Sequence, residues 1–313
     1  MTRPVEIGLH LPSAQPAATA EGILAVARTA EELGFDSVWC FDHLFTPVDL
    51  ESLYPYSRDG SYAMSANDPF FDPLALFGVL AGATERVKIG TGVLIGAYRH
   101  PIVLAKALAS IENFAPGRLV LGIGAGWMRE EFDALGVPYE RRGARLDEYI
   151  EALRTIWSGA SSSFEGDSYR WPESGFLPAP TGGASGIPLI VGGHSDAALA
   201  RAARIGDGWA VVTGRGQGSG IDALLARIEV MQSLLEKEGR SGDDFVLMLQ
   251  HLLWFSDAPN PKLPFTGPPE AIAENLVRLR DAGVSMIDLI VYGPPPVIVE
   301  SAERFAREVR PLV

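Results

Sequence analysis

Residues 88–127 constrain the fold more than any other stretch of the chain. Val87–Leu94 is a short apolar run rich in β-branched residues, and Arg118–Ile123 is a second one. Between them Ile102–Phe114 carries Leu104, Leu108 and Ile111 at helical spacing. The stretch therefore reads strand, helix, strand, a βαβ unit whose strands must be parallel and joined by a right-handed crossover. Gly90 and Gly92 close the first strand and Gly122, Gly124 and Gly126 the second. Glycines at the carboxyl ends of parallel strands let a planar or anionic ligand approach the backbone, so a ligand is expected at that edge.

The same alternation runs the length of the chain. Strands are expected over Val5–Leu11, Asp36–Phe41, Ile187–Val191, Gly208–Val212, Phe245–Phe255 and Met286–Val291. Helices are expected over Glu21–Leu33, Pro73–Thr84, Arg142–Trp157, Asp196–Ile205, Ile221–Glu238, Pro268–Ala282 and Val297–Val309. With 313 residues, of which 47% are hydrophobic, the chain can build one (β/α)8 TIM barrel as a single domain over residues 1–313. Two insertions absorb the surplus: Leu44–Asp72 after the second strand, and Ser158–Gly186 before the fifth. The first carries three tyrosines and no period, as a lid or binding loop would. Met128–Tyr139 reads as irregular. A doubly wound sheet shares the alternation, but no glycine follows Leu11 until Gly22, and Gly122–Trp127 lacks the third glycine of a dinucleotide fingerprint.

A formal charge of −13 with scattered cations argues against nucleic acid and against an anionic membrane surface. No apolar run reaches the length of a membrane span, and no leader pattern opens the sequence. The single cysteine, Cys40, reads as a small buried side chain, and with no disulfide possible a reducing, cytoplasmic setting is expected. None of the five histidines pairs at metal-ligand spacing, so no metal is expected. Gly193-His-Ser-Asp-Ala197 is close to a nucleophile elbow, with His251 as a downstream base. The competing reading makes Ser195 the cap of the following helix, leaving the N–H groups of Gly192 and Gly193 for an anion. The Thr213-Gly-Arg-Gly216 loop would add donors and the Arg215 guanidinium to the same place.

Six segments together resemble the bacterial luciferase-like superfamily, and most of all its oxidoreductases dependent on the deazaflavin coenzyme F420. They are Ser37–His43, Ile89–Leu94, Arg99–Pro101, Pro116–Arg118, Gly122–Trp127 and Val191–Gly193. The resemblance implies a barrel whose cofactor ring lies over the strand ends, supported by a cis peptide at Gly92–Val93. It implies His43 as the catalytic proton donor or acceptor. The implied cofactor-binding residues are Asp42, Thr91, Gly92, Val93, Gly124, Ala125, Gly126, Gly192, Gly193, His194, Thr213, Gly214 and Arg215. Asp42-His43 and the Thr-Gly-Arg-Gly loop resemble the deazaflavin branch, whereas FMN-dependent monooxygenases often carry Glu-His-His there. FMN is therefore the alternative cofactor, and a non-catalytic flavin-binding protein the alternative to an enzyme. The family's sugar-phosphate enzymes bind the phosphate with extra lysines, of which this chain has few, so an unidentified small organic substrate is expected. Family resemblance, with the small and apolar residues of Leu74–Ala83 and Ile102–Ala109, implies a homodimer. Trp39 and Trp127 are expected at the site.

Overall fold

The computed structural model describes residues 4–14, 16–212 and 220–313. Thr213, Gly214 and Arg215 of the expected anion site lie outside the described residues. Eight strands, β1 Glu6–His10, β2 Ser37–Cys40, β3 Lys88–Ile95, β4 Leu119–Gly124, β5 Leu189–Gly192, β6 Gly208–Val212, β7 Val246–Leu252 and β8 Met286–Ile290, pair parallel in chain order, and β8 closes on β1. The expected (β/α)8 barrel is thus the observed fold. Around it lie α1 Ala20–Glu32, α2 Pro73–Ala83, α3 Pro101–Phe114, α4 Arg129–Leu135, α5 Arg142–Trp157, α6 Asp196–Ile205, α7 Ile221–Lys237, α8 Pro269–Asp281 and α9 Pro295–Arg304.

Local chemistry fixes several helix starts. Thr19 caps α1 by accepting the Gly22 N–H at 3.1 Å, and Asp72 caps α2 by accepting the Leu74 N–H at 2.8 Å. Proline begins α2 and α3, where a missing N–H costs nothing. The main core lies between strands and helices. A second one fills the barrel, built from Trp39, Val120, Ile190, Ala210, Met248 and Met286. Alternate residues of each strand feed these two cores, as the two-residue period of a barrel wall requires.

Three expectations need correction. Residues 129–135 are helical rather than irregular, and Gly136 ends the helix in the left-handed region at φ 66°. The second long connection contains an antiparallel hairpin, Ser161–Glu165 with Arg170–Gly175, on which Phe164 stacks against Trp171 at 4.8 Å. The seventh strand stops at Leu252, and Trp254–Phe255 pairs separately with Thr266–Gly267. No helix among the described residues is long and apolar enough to cross a membrane. Nor does any group of three or more His, Cys, Asp or Glu side chains among them gather as metal ligands.

Candidate active site

A cavity of about 1390 Å³ opens at the carboxyl ends of the strands. Of the residues expected there, Asp42, His43, Gly92, Val93, Gly124, Ala125, Gly126, Gly192, Gly193 and His194 all line it. The peptide bond between Gly92 and Val93 is cis, and the β3–β4 register shifts between Thr91 and Leu94 at that point. Val93 packs against the core that fills the barrel. A Cβ at Gly124 would lie 2.7 Å from Val93 Cγ2 and one at Gly192 would lie 2.8 Å from Val93 Cγ1. Two of the glycines expected to admit a ligand therefore admit this valine.

Three other expectations change. Thr91 is fully buried, and its hydroxyl donates to the Gly122 carbonyl at 2.8 Å. It ties β3 to β4 and does not line the cavity. Trp39 is also fully buried inside the barrel, where Gly8 and Gly90 leave room for its ring and its indole N–H donates to Ser37 Oγ at 2.8 Å. Of the two tryptophans expected at the site, only Trp127 lines the cavity. Ser195 caps α6, accepting the Ala198 N–H at 3.2 Å, and His251 faces Phe265 outside the barrel wall. That arrangement removes the nucleophile–base alternative.

His43 is held by a residue that the sequence did not mark. Its Nδ1 donates to Glu131 Oε2 at 2.7 Å, and Glu131 is fully buried. The same carboxylate accepts the Leu44 N–H at 2.6 Å and the Tyr98 hydroxyl. Donation from Nδ1 fixes the tautomer and leaves Nε2 as the nitrogen that can serve a ligand. Glu131 rides on α4, the helix missed by the hydrophobic period. The rings of Tyr62, Phe70 and Trp127 surround the imidazole at 5.5–5.6 Å between centroids. Tyr54 and Tyr62 come from the long connection and pack edge-on against Trp127, each at 5.1 Å. Burial raises the hydroxyl pKa of both tyrosines well above the ordinary value, so both stay neutral.

Asp42 lies at the cavity but its oxygens are engaged. Arg99 donates to Oδ2 at 2.8 Å and to Oδ1 at 3.0 Å, and the Ile95 N–H donates to Oδ2 at 2.9 Å. Burial pushes the Asp42 carboxyl up, while Arg99 pulls the other way. Arg99 also donates to Asp72 at 2.6 Å. One guanidinium thus clamps both ends of the connection that covers His43, which gives Asp42 a positioning job. Glu130 secures the middle of that connection by accepting the N–H groups of Glu51 and Ser52, each at 2.9 Å.

At the opposite wall His194 stands edge-on to Tyr56 at 5.1 Å. Burial, aided by the charge of Arg227, lowers its pKa to about 4, so its imidazole is neutral near pH 7. Gly193 sits at φ 132°, and its carbonyl accepts the Trp209 indole N–H at 2.9 Å. Lys262 lines this end of the cavity, next in sequence to Pro261, whose carbonyl lies against Gly220.

Residues 4–260 match the family model described as luciferase-like monooxygenase. The chain belongs to that family. An uncharacterised protein of Mycobacterium tuberculosis (strain H37Rv) is 35% identical over 218 residues, covering 70% of this chain and 73% of its own length. A protein of Nakamurella multipartita named F420-dependent glucose-6-phosphate dehydrogenase is 32% identical over 251 residues, covering 79% of this chain and 67% of its own. Among solved structures, an F420-dependent secondary alcohol dehydrogenase in complex with an F420-acetone adduct superposes with a TM-score of 0.78 at 19% identity, covering 99% of both chains. At that identity the superposition speaks for the barrel fold alone.

Proposed function

We propose that this luciferase-like protein is an F420-dependent oxidoreductase that transfers hydride to or from an organic substrate, with His43 moving the accompanying proton. The observation that carries the reading is the His43–Glu131 pair at a cavity that Gly92 and Val93 also line. When bound, the deazaflavin supplies a two-electron hydride carrier. The cavity residues fit such a ring: Gly92 and Val93 offer a floor, and Gln250 Oε1 is a buried acceptor with no partner among the described residues. Gly193, His194 and Lys262 suit the anionic tail, together with the N–H groups at the start of α6.

Each protein group then has a task. His43 Nε2 gives or takes the proton at the substrate oxygen, and Glu131 holds the ring so that only this nitrogen faces the cavity. The Tyr54–Tyr62–Phe70 face of the long connection excludes water from that proton. Its rings favour an uncharged, apolar alcohol or carbonyl compound. Of the four lysines in the chain only Lys262 lines the cavity, so a sugar phosphate would have to rely on the lining arginines, Arg58, Arg141, Arg142 and Arg201. The exposed side chains of Val79 on α2 and of Val103 and Phe114 on α3 suit a homodimer face, which sedimentation as a single chain would refute.

Titration of the protein with coenzyme F420 and with FMN, followed by tryptophan emission, tests the cofactor. Binding of F420 at micromolar concentrations or below, with FMN weaker, is expected. The reverse order would make the protein an FMN-dependent monooxygenase, and binding of neither would overturn both readings.

A further inference from the structure

The inward-facing residues at the barrel mouth divide into two halves. Strands β3, β4 and β5 present Gly92, Gly124 and Gly192, with Val93 over them. Strands β7, β8 and β1 present Gln250, Asp288 and His10 instead, directly above the apolar layer of Met248 and Met286. All three polar residues are at least 98% buried, with exposures of 1%, 0% and 2%.

They form one hydrogen-bonded group. His10 Nδ1 donates to Asp288 Oδ2 at 2.7 Å, and Gln250 Nε2 donates to the same oxygen at 2.6 Å. Asp288 therefore dictates which way the Gln250 amide points, since its NH2 is taken and its oxygen must face elsewhere. That oxygen has no partner among the described residues. Gln250 is also the member of the group that lines the cavity, and its amide packs under Gly92, where an added Cβ would lie 2.4 Å from Nε2 and 3.5 Å from Oε1. Buried acceptors in folded proteins almost always have donors. An orphaned carbonyl oxygen, oriented by a carboxylate and placed at the edge of a flat floor, calls for a ligand that brings an N–H in the plane of that floor.

We propose that Gln250, oriented by Asp288 and His10, accepts a hydrogen bond from the ring N–H of a pyrimidinedione seated on Gly92–Val93. This assignment rests on the cofactor reading above and adds to it a residue that recognises the ring's polar edge. Asp288 and His10 are positioning residues, since neither lines the cavity.

The test pairs loss of the acceptor with loss of the donor. The probes are coenzyme F420 and the tailless deazaflavin riboside, the latter with and without a methyl group on the ring nitrogen. Affinities are measured by fluorescence for the wild type and for Gln250→Met, which keeps the volume under Gly92. The variant is expected to bind F420 and the unmethylated riboside about five- to tenfold more weakly, the value of one neutral hydrogen bond. It is expected to bind the methylated riboside as the wild type does. Equal losses for both ribosides would make Gln250 a packing support and overturn the assignment, as would no loss for either. Asp288→Asn gives an independent arm should Gln250→Met fail to fold. Its amide N–H can occupy Gln250 Oε1, so the same donor-dependent loss is expected. If wild type binds none of the probes, the cofactor reading itself fails and takes this assignment with it. That outcome is distinct from binding which ignores the ring N–H.

Discussion

Replacing Glu131 tests the reading of the site before any substrate is known. In Glu131→Ala three donors lose their acceptor in buried space: His43 Nδ1–H, the Leu44 N–H and the Tyr98 hydroxyl. A stranded donor costs about 1–3 kcal/mol, and these three share one carboxylate, so their losses do not simply add. A total of roughly 4 kcal/mol is expected once the cavity left by the side chain is included. Glu131→Gln keeps the volume and one carbonyl oxygen, which can accept two of the donors while its NH2 opposes the third. The expected cost is about 1–2 kcal/mol. Urea unfolding followed by far-ultraviolet circular dichroism measures both, with unchanged m confirming a common unfolded state. Trp127 stands edge-on to His43 at 5.6 Å, so its emission should shift in the alanine variant before unfolding begins. A cost below about 1 kcal/mol for Glu131→Ala, or equal costs for the two variants, would show that the carboxylate does not anchor His43.

Three other outcomes are expected. His43→Ala should leave F420 affinity within a few fold but slow hydride transfer by about 10²–10⁴, the usual contribution of a positioned acid–base group; loss of binding instead would place the imidazole on the cofactor rather than the substrate. Gly122→Ala should cost at least about 3 kcal/mol, because its Cβ would lie 2.0 Å from the Thr91 carbonyl oxygen and only separation of β3 from β4 could relieve the contact; a thermal midpoint equal to that of the wild type would contradict it. Burial holds the His251 pKa down to about 4, against about 6.5 unfolded, so the unfolded chain takes up the proton first as pH falls. The stability contributed by neutral His251 is complete above about pH 6.5 and is lost on descent to pH 4, on the order of 3 kcal/mol, and His251→Leu should flatten the urea midpoint across that window.

The barrel was legible because its signals are long-range and repeated. Eight apolar runs alternate with amphipathic stretches, and each of the eight barrel strands falls on an expected one within a few residues. The failures are short elements. Helix α4 has seven residues, REEFDAL, with Phe132 and Leu135 as its apolar pair, too few turns for a period to emerge. A stop signal was present in Gly136, and the helix would have followed from it. The hairpin at 161–175 escaped because its first strand reads Ser-Ser-Ser-Phe-Glu, and its register rests on the Phe164–Trp171 stack, a contact between residues that local propensity does not pair.

The site was legible in outline for a different reason. Glycines at strand ends mark places where something approaches the backbone, yet the sequence does not say what approaches. At Gly8 and Gly90 it is the indole of Trp39, at Gly122 the carbonyl of Thr91, and at Gly124 and Gly192 the side chain of Val93. These glycines let the chain fill its own barrel and turn Val93 inward, which produces the floor on which a flat ligand can rest. Recognition then falls to side chains whose partners are distant in sequence: Glu131, 88 residues from His43, and Asp288, 38 residues from Gln250. Neither pair has a spacing that a motif could carry: α8 separates β7 from β8 in sequence although the two strands pair, and α4, which follows β4, reaches past β3 to the end of β2. The order of the chain determines where a ligand binds, and the closure of the sheet determines which side chains meet it there.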